Sequence, residues 1–161
     1  MADSDVATGI NAGLQPSRHG RGMPYMAEST VDLATALANR VGAGALTAAD
    51  VVLSMDIPAK TMIMSAGVEV MTATDGATFT IDMGTSADPD AFIDDMDVSS
   101  SVAAGTMSQV PTAGTPSIVC QAADTLDITL ATLSGGAVTS GKLRAWAILV
   151  DLTATTSAGI A

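Results

Sequence analysis

Residues 60–84 read KTMIMSAGVEVMTATDGATFTIDMG, two alternating runs joined by Thr74, Asp75 and Gly76. A strand sends successive side chains to opposite faces, so this alternation marks strands with one apolar and one wetter face. In the first run Met62, Met64, Ala66, Val68 and Val70 share one side, and Ile63, Ser65, Gly67, Glu69 and Met71 share the more polar other. In the second, Phe79, Ile81 and Met83 alternate with Thr78, Thr80 and Asp82. Asp-Gly between alternating runs is a hairpin signal, because glycine accepts positive φ without a Cβ clash. The expectation is an antiparallel hairpin whose apolar face, with Val68, Val70, Phe79 and Ile81, belongs to the core.

The same period recurs along the chain. Residues 25–33 alternate weakly, and residues 50–57 place Val51, Leu53, Met55 and Ile57 on one face before Pro58. Residues 117–121 read as a short strand, and in the next one Leu126, Ile128 and Leu130 alternate with Asp127 and Thr129. Residues 142–152 set Leu143, Ala145, Ala147 and Leu149 against Arg144, Trp146, Ile148, Val150 and Leu152. Apolar residues on both faces of that segment predict a central strand, or one whose outer face meets a neighbour, which makes Trp146 and Ile148 candidate interface residues. The Ala-rich residues 34–50 are broken by Gly42 and Gly44 and read as a long loop with one helical turn. Residues 101–116 read as a loop with a short strand near 107–110. The Gly/Ser-rich residues 134–141 read as a flexible surface tip.

About seven or eight short strands with regularly spaced loops predict an all-β fold, an antiparallel β-sandwich or jelly roll. Residues 1–24 show neither period and form an extended N-terminal arm in this reading, followed by the sandwich domain, 25–152, and a short tail, 153–161. A segment as poor in bulky apolar residues as the arm orders only against something else. Its basic spot, Arg18, His19 and Arg21, together with Tyr25 where it joins the domain, is the candidate partner-binding site.

A chain of 161 residues is long enough to bury one real core. Aromatics make up 2 % of it, so the core must be filled by aliphatic residues and by some of the ten methionines. The net charge is −11 with six Lys and Arg, and no basic residue lies between Lys60 and Lys142. Phosphate contacts need Lys and Arg, so nucleic acid is not an expected partner. Cys120 is the single cysteine, so no intramolecular disulfide is available, which suits folding in a reducing cytoplasm. No apolar run reaches the roughly 18 residues of a membrane span, and the N-terminal residues do not read as a signal peptide.

Catalytic groups are sparse. The single histidine, His19, lies in the irregular arm, and Cys120 sits mid-strand. There is no Cys/His cluster for zinc and no phosphate-binding glycine loop. An enzyme is not expected, and no cofactor is called for. The acidic stretch 85–101 carries Asp88, Asp90, Asp94, Asp95 and Asp97. Calcium takes six to eight oxygen ligands, which such loops supply. Counted from Asp88, however, Phe92 and Ile93 occupy the places where a calcium loop needs an oxygen ligand and a glycine. A solvated acidic loop anchored by Phe92 and Ile93 is the better reading, with calcium at those five aspartates as the alternative.

Three stretches carry a family resemblance: Pro24-Tyr25 through Val31-Asp32-Leu33, SMDIPAKTMIMSAGVEVMTATDGATFTIDMGTSADPDAFIDDMD, and AADTLDITLATLSGGAVTSGKLRAWAILVDL. In order and texture they resemble the head decoration, or cement, proteins of tailed bacteriophages, including those of cyanobacterial and marine phages. The likeness spans residues 24–152 and includes no catalytic motif. It implies a β-sandwich that binds the outside of a phage capsid and stiffens it by bridging neighbouring major capsid subunits. The implied partners are the major capsid protein and further copies of this chain, as dimers or trimers. The implied location is the capsid surface of the virion, after synthesis in the host cytoplasm. The alternatives are another virion component (tail, fibre or receptor-binding module) or a calcium-dependent adhesive or carbohydrate-binding β-sandwich.

Overall fold

Nine strands and one short helix form among residues 3–5, 23–39, 46–108, 117–134 and 138–153, those described by the computed structural model. They run β1 (Asp3–Asp5), β2 (Pro24–Asp32), α1 (Leu33–Asn39), β3 (Val51–Ile57), β4 (Thr61–Thr72), β5 (Thr78–Thr85), β6 (Ile93–Asp97), β7 (Ile118–Cys120), β8 (Asp124–Ser134) and β9 (Lys142–Asp151). Two sheets result, ordered β1-β3-β8-β5-β6 and β2-β9-β4-β7. Apart from β1, which lies parallel to β3, all pairs are antiparallel. The pairs are nested: β2 with β9, β3 with β8, β4 with β7, and β5 with β6. A ribbon wrapped so that successive strands alternate between two facing sheets is a jelly roll. The expected sandwich is thus the observed one, and β9 is a central strand.

The wrap follows from one-sided apolar strands, each of which must bury that side against a second sheet. The five-stranded sheet contributes the bulk: Phe79, Ile81 and Met83 from β5 and Leu126, Ile128 and Leu130 from β8 are fully buried. The four-stranded sheet answers with a small row across three strands, Ala27 opposite Ala147 and Ala147 opposite Ala66. Val68, Val70, Leu143 and Leu149 fill the rest of that inner face. Large against small lets the two faces interdigitate with few aromatics.

Residues 74–76 do not close a hairpin. β4 and β5 lie in different sheets, and the glycines with positive φ among the described residues are Gly105 and Gly141, not Gly76. The segment is a corner between the sheets. A Cβ on Gly76 would stand 2.8 Å from Val138 Cγ2 and 3.1 Å from Phe79 Cβ. Asp75 leaves the corner to accept bonds from the Thr139 and Ser140 amides, at 2.9 and 3.2 Å. Thr74 Oγ1 donates to the Val98 carbonyl at 2.6 Å. Glycine is needed here for close approach, not for positive φ, and each flanking strand takes its hydrogen-bonded partners elsewhere, β4 from β7 and β9, β5 from β6 and β8.

β-Bulges correct two of the expected faces. Ile63 pairs with Leu149 and Ser65 with Ile148, so Met64 is an extra residue. Inward phase therefore passes from Ile63 to Ala66, Val68 and Val70, while Met62 and Met64 belong to the outer side. In β3 the extra residue is Ser54, between Leu53 and Met55. Val52, not Val51 or Leu53, is buried before it, and Met55 and Ile57 after it. Buried Ser54 donates its hydroxyl to the Leu126 carbonyl at 2.5 Å, which offsets the cost of burying it. One inserted residue reverses every later side chain, and alternation alone does not reveal it.

The end of the 134–141 stretch is tied down rather than a free tip. Val138 is fully buried, Thr139 and Ser140 are held by Asp75, and the Gly141 carbonyl accepts from the Leu33 amide at 3.0 Å. The helical turn expected after residue 33 is α1, capped by Asp32 Oδ1, which accepts from the Ala34 and Thr35 amides at 3.0 and 3.2 Å.

Candidate interaction surfaces

The outer face of the four-stranded sheet is built in rows by the register of β9. Val150 faces Met62 and Pro24, and Met62 in turn faces Val119. Next, Ile148 faces Met26 and Ser65, and Trp146 faces Glu28 and Gly67. Then Arg144 lies between Thr30 and Glu69, and Lys142 between Asp32 and Thr72. The face therefore has an apolar half toward Val150 and a charged half toward Lys142.

Every exposed large apolar side chain among the described residues belongs to this sheet or its immediate continuations: Met23, Met26, Met64, Met71, Met107, Val119 and Leu152. Met26 is 65 % exposed and Met64, on its bulge, 44 %. Solvent-facing methionine in this number on one sheet is unlike scattered surface apolar residues and marks an interaction surface.

Trp146 stands in the middle row of β9 and packs over Gly67. A Cβ on Gly67 would stand 2.5 Å from Trp146 Cζ2 and 2.6 Å from Ser108 Oγ, so glycine is required by this close approach. Residues 105–108 run along β4: Ser108 donates its amide to Val68 O at 2.8 Å and its hydroxyl accepts from Val68 N at 3.0 Å. A depression of about 250 Å³ opens here, lined by Met26, Glu28, Met107, Arg144, Trp146 and Ile148. Its wall is apolar on one side and an ion pair on the other.

The charged half is compensated. Arg144 donates to Glu69 and lies 3.7 Å from Glu28, and Lys142 Nζ stands 3.0 Å from Asp32 Oδ2. The hydrogen bond from Lys142, helped by the Thr35 amide, holds the Asp32 carboxyl below its ordinary range. These partly exposed pairs add little stability. Their effect is to leave the face nearly neutral on a strongly acidic chain.

The opposite surface is different. On the five-stranded sheet Asp82 accepts from the Asp95 amide at 2.8 Å, and Asp95 accepts from Thr80 Oγ1 at 2.9 Å. Burial, together with the charges of Asp95, Asp94 and Asp90, raises the Asp82 carboxyl above its usual value. Asp95 takes φ of 55° at the point where β6 bulges against β5. The loop before it folds onto the end of β5: Thr85 donates to the Asp88 carbonyl at 2.9 Å and Phe92 to the Met83 carbonyl at 2.9 Å. Phe92 and Ile93 are buried, while Asp88, Asp90, Asp94, Asp95 and Asp97 are exposed. A bond shared with Asp90 raises the Asp88 carboxyl. Among the described residues no three His, Cys, Asp or Glu side chains are grouped so as to hold a metal ion. The calcium alternative thus gains no geometric support from the five aspartates.

Of the other site candidates, Arg18, His19 and Arg21 lie outside the described residues. Tyr25 belongs to β2 and faces inward, 9 % exposed, with burial and then Asp151 raising its phenol. Val68, Val70, Phe79 and Ile81 are fully buried between the sheets, and Trp146 and Ile148 lie half-buried on the outer face. The methionine surface was not anticipated. Its signal was present in Met26, Met64 and Met107, but the undetected bulge had assigned Met62 and Met64 to the core. Among the described residues no helix is long and apolar enough to cross a membrane.

No protein-family model and no curated protein matches the sequence. Two solved structures contain a chain of similar fold. In the cyanophage Pam1 capsid asymmetric unit the similarity has a TM-score of 0.55 at 12 % identity, covering 89 % of this chain and 98 % of that one. In the capsid of Ralstonia phage GP4 it has a TM-score of 0.61 at 18 % identity, covering 94 % of this chain and 98 % of that one. At such identities the likeness shows a shared architecture, and it extends over nearly the whole length of both neighbours.

Proposed function

We propose that this chain is a virion structural protein of a tailed bacteriophage, a head decoration protein that binds the outside of the capsid and bridges neighbouring major capsid subunits. The observation that carries the reading is the end-to-end match of its jelly roll to chains found in two phage capsids. The wrap itself serves many functions, so fold alone would not suffice. The surfaces support it independently: one nearly neutral, methionine-rich face and one acidic face suit a protein that works by contact, not by chemistry.

Bridging gives such a protein its effect. Once one contact to the shell forms, the next is intramolecular and acts at high effective concentration, so modest contacts hold firmly. Separating two capsid subunits then requires breaking the bridge as well. The basic spot at Arg18 and Arg21 is the proposed grip of the N-terminal segment on the shell.

The test is binding of the purified full chain to empty phage shells, with an unrelated shell as control. Saturable binding that raises the heat resistance of the shell is expected. Absence of binding to the shell of the phage that encodes it would overturn the reading. Arg18→Glu combined with Arg21→Glu tests the grip while keeping β1, and undiminished occupancy would remove it.

A further inference from the structure

We infer that the apolar half of the four-stranded sheet's outer face is the footprint that seats on the capsid, an inference that takes its partner from the decoration reading and adds the face that meets it. The footprint centres on Ile148, with Met26 and Met64 beside it. The shell offers it an apolar strip, one side chain of which enters the Trp146 depression.

The point where the chain enters the sheet favours this face and this partner. The proposed grip ends at Arg21, three residues before Pro24, so their Cα atoms lie no more than about 11 Å apart. Pro24 is the partner of Val150 in the apolar half, and Met23 before it is 60 % exposed. A grip on the shell therefore delivers this end of the four-stranded sheet to it. Once the grip holds, the face beside it meets the shell at high effective concentration, an advantage that a free second copy lacks.

The cost of drying each face points the same way. On the five-stranded sheet Asp82, Asp94 and Asp95 form no salt bridge among the described residues, so excluding water leaves carboxylates without a counter-charge. On the four-stranded sheet Asp32, Glu28 and Glu69 are ion-paired with Lys142 and Arg144. Those pairs lie to one side of an apolar area, as a polar rim lies beside a dry centre. Seated through this face, the chain turns its acidic sheet to solvent.

The depression gives the footprint its anchor point. At about 250 Å³ it is smaller than the roughly 300–1,000 Å³ pockets of drug-sized ligands, and it suits a single side chain. Met26, Met107, Ile148 and Trp146 line it, so that side chain is apolar, and the flexible thioethers adjust to its shape. Arg144 and Glu28, 3.7 Å apart on the other wall, present one charge of each sign. A cation or an anion there meets a like charge, which also selects a neutral group.

Binding of the full chain to phage shells, with its mass in solution recorded beforehand, is the test. Met26→Asp and Met64→Asp should each weaken binding roughly tenfold or more, with mass and far-UV circular dichroism as in wild type. Thr132→Asp, exposed on the five-stranded sheet, should bind as wild type does. Peroxide footprinting needs no variant: Met26 and Met64 should be oxidised to sulfoxides in the free chain and protected on the shell. A wild type that does not bind removes the decoration reading and the inference together. If wild type binds, but both aspartate variants bind equally well or both methionines stay reactive on the shell, the reading stands and the inference is overturned. A lower solution mass in either variant, or methionines already protected in the free chain, gives the face to a second copy and overturns it too.

Discussion

Gly67 lies beneath the indole of Trp146, so close that a Cβ would reach within 2.5 Å of Cζ2. The two residues are direct partners across β4 and β9. Their contact fixes the position of the single tryptophan of the chain, which lines the depression. The side that methionines and ion pairs make sticky is therefore organised around a residue without a side chain.

Gly67→Ala should cost about 1–3 kcal/mol, because the indole and the 105–108 segment must both move to admit a methyl group. Urea unfolding followed by Trp146 fluorescence measures the cost and the displacement together. An unchanged midpoint with an unchanged emission maximum would show that the approach is looser than described.

The bulge at Met64 predicts opposite outcomes for adjacent residues. Ile63→Ala should cost about 2–5 kcal/mol, since Ile63 is fully buried. Met64→Ala should change the stability of the dilute single chain by no more than about 0.5 kcal/mol. Simple alternation from Val70 back to Met62 predicts the reverse ranking, so chemical denaturation of the two variants decides the phase.

Asp75 pins the inter-sheet corner to Thr139 and Ser140. Burial opposes its ionisation, but the bonds from Thr139 and Ser140 outweigh this and hold its carboxyl below the ordinary 3.8. A lowered folded-state value contributes stability above 3.8 that disappears as pH falls through the lowered value. Asp75→Asn should therefore be less stable than wild type at neutral pH, and the two should converge in acid. Parallel curves of melting temperature against pH would show that the ionised pin contributes nothing.

Calcium should leave the melting temperature unchanged, at millimolar concentration or after chelation, because the five loop aspartates do not form a ligand cage. A rise that Asp88→Asn or Asp95→Asn abolishes would return the loop to the candidate sites.

Much of the sandwich was legible in period-two patterning. Phe79, Ile81 and Met83, Leu126, Ile128 and Leu130, and Leu143 through Leu149 alternate in sequence and point inward in the structure. These patterns are local: apolar area on one side of a strand is set by the strand's own residues, and it must be buried whatever its partner. The anchoring of the acidic loop by Phe92 and Ile93 was legible on another ground, since they are adjacent bulky apolar residues in an otherwise polar stretch.

Partner choice was decided by the tertiary structure. Asp75-Gly76 bends the chain in a hairpin or in a corner, and only the distant pairings of β4 with β9 and β5 with β8 select the corner. The bulges at Ser54, where β3 pairs with β8, and at Met64, where β4 pairs with β9, belong to such long-range pairings, and they reverse which residues face water. The interaction face inherits this dependence. Amino-acid order determined that two one-sided sheets would form, because burial of apolar surface is additive along each strand. Which methionines were left outside, and beside which tryptophan, was settled only when register joined residues far apart in sequence.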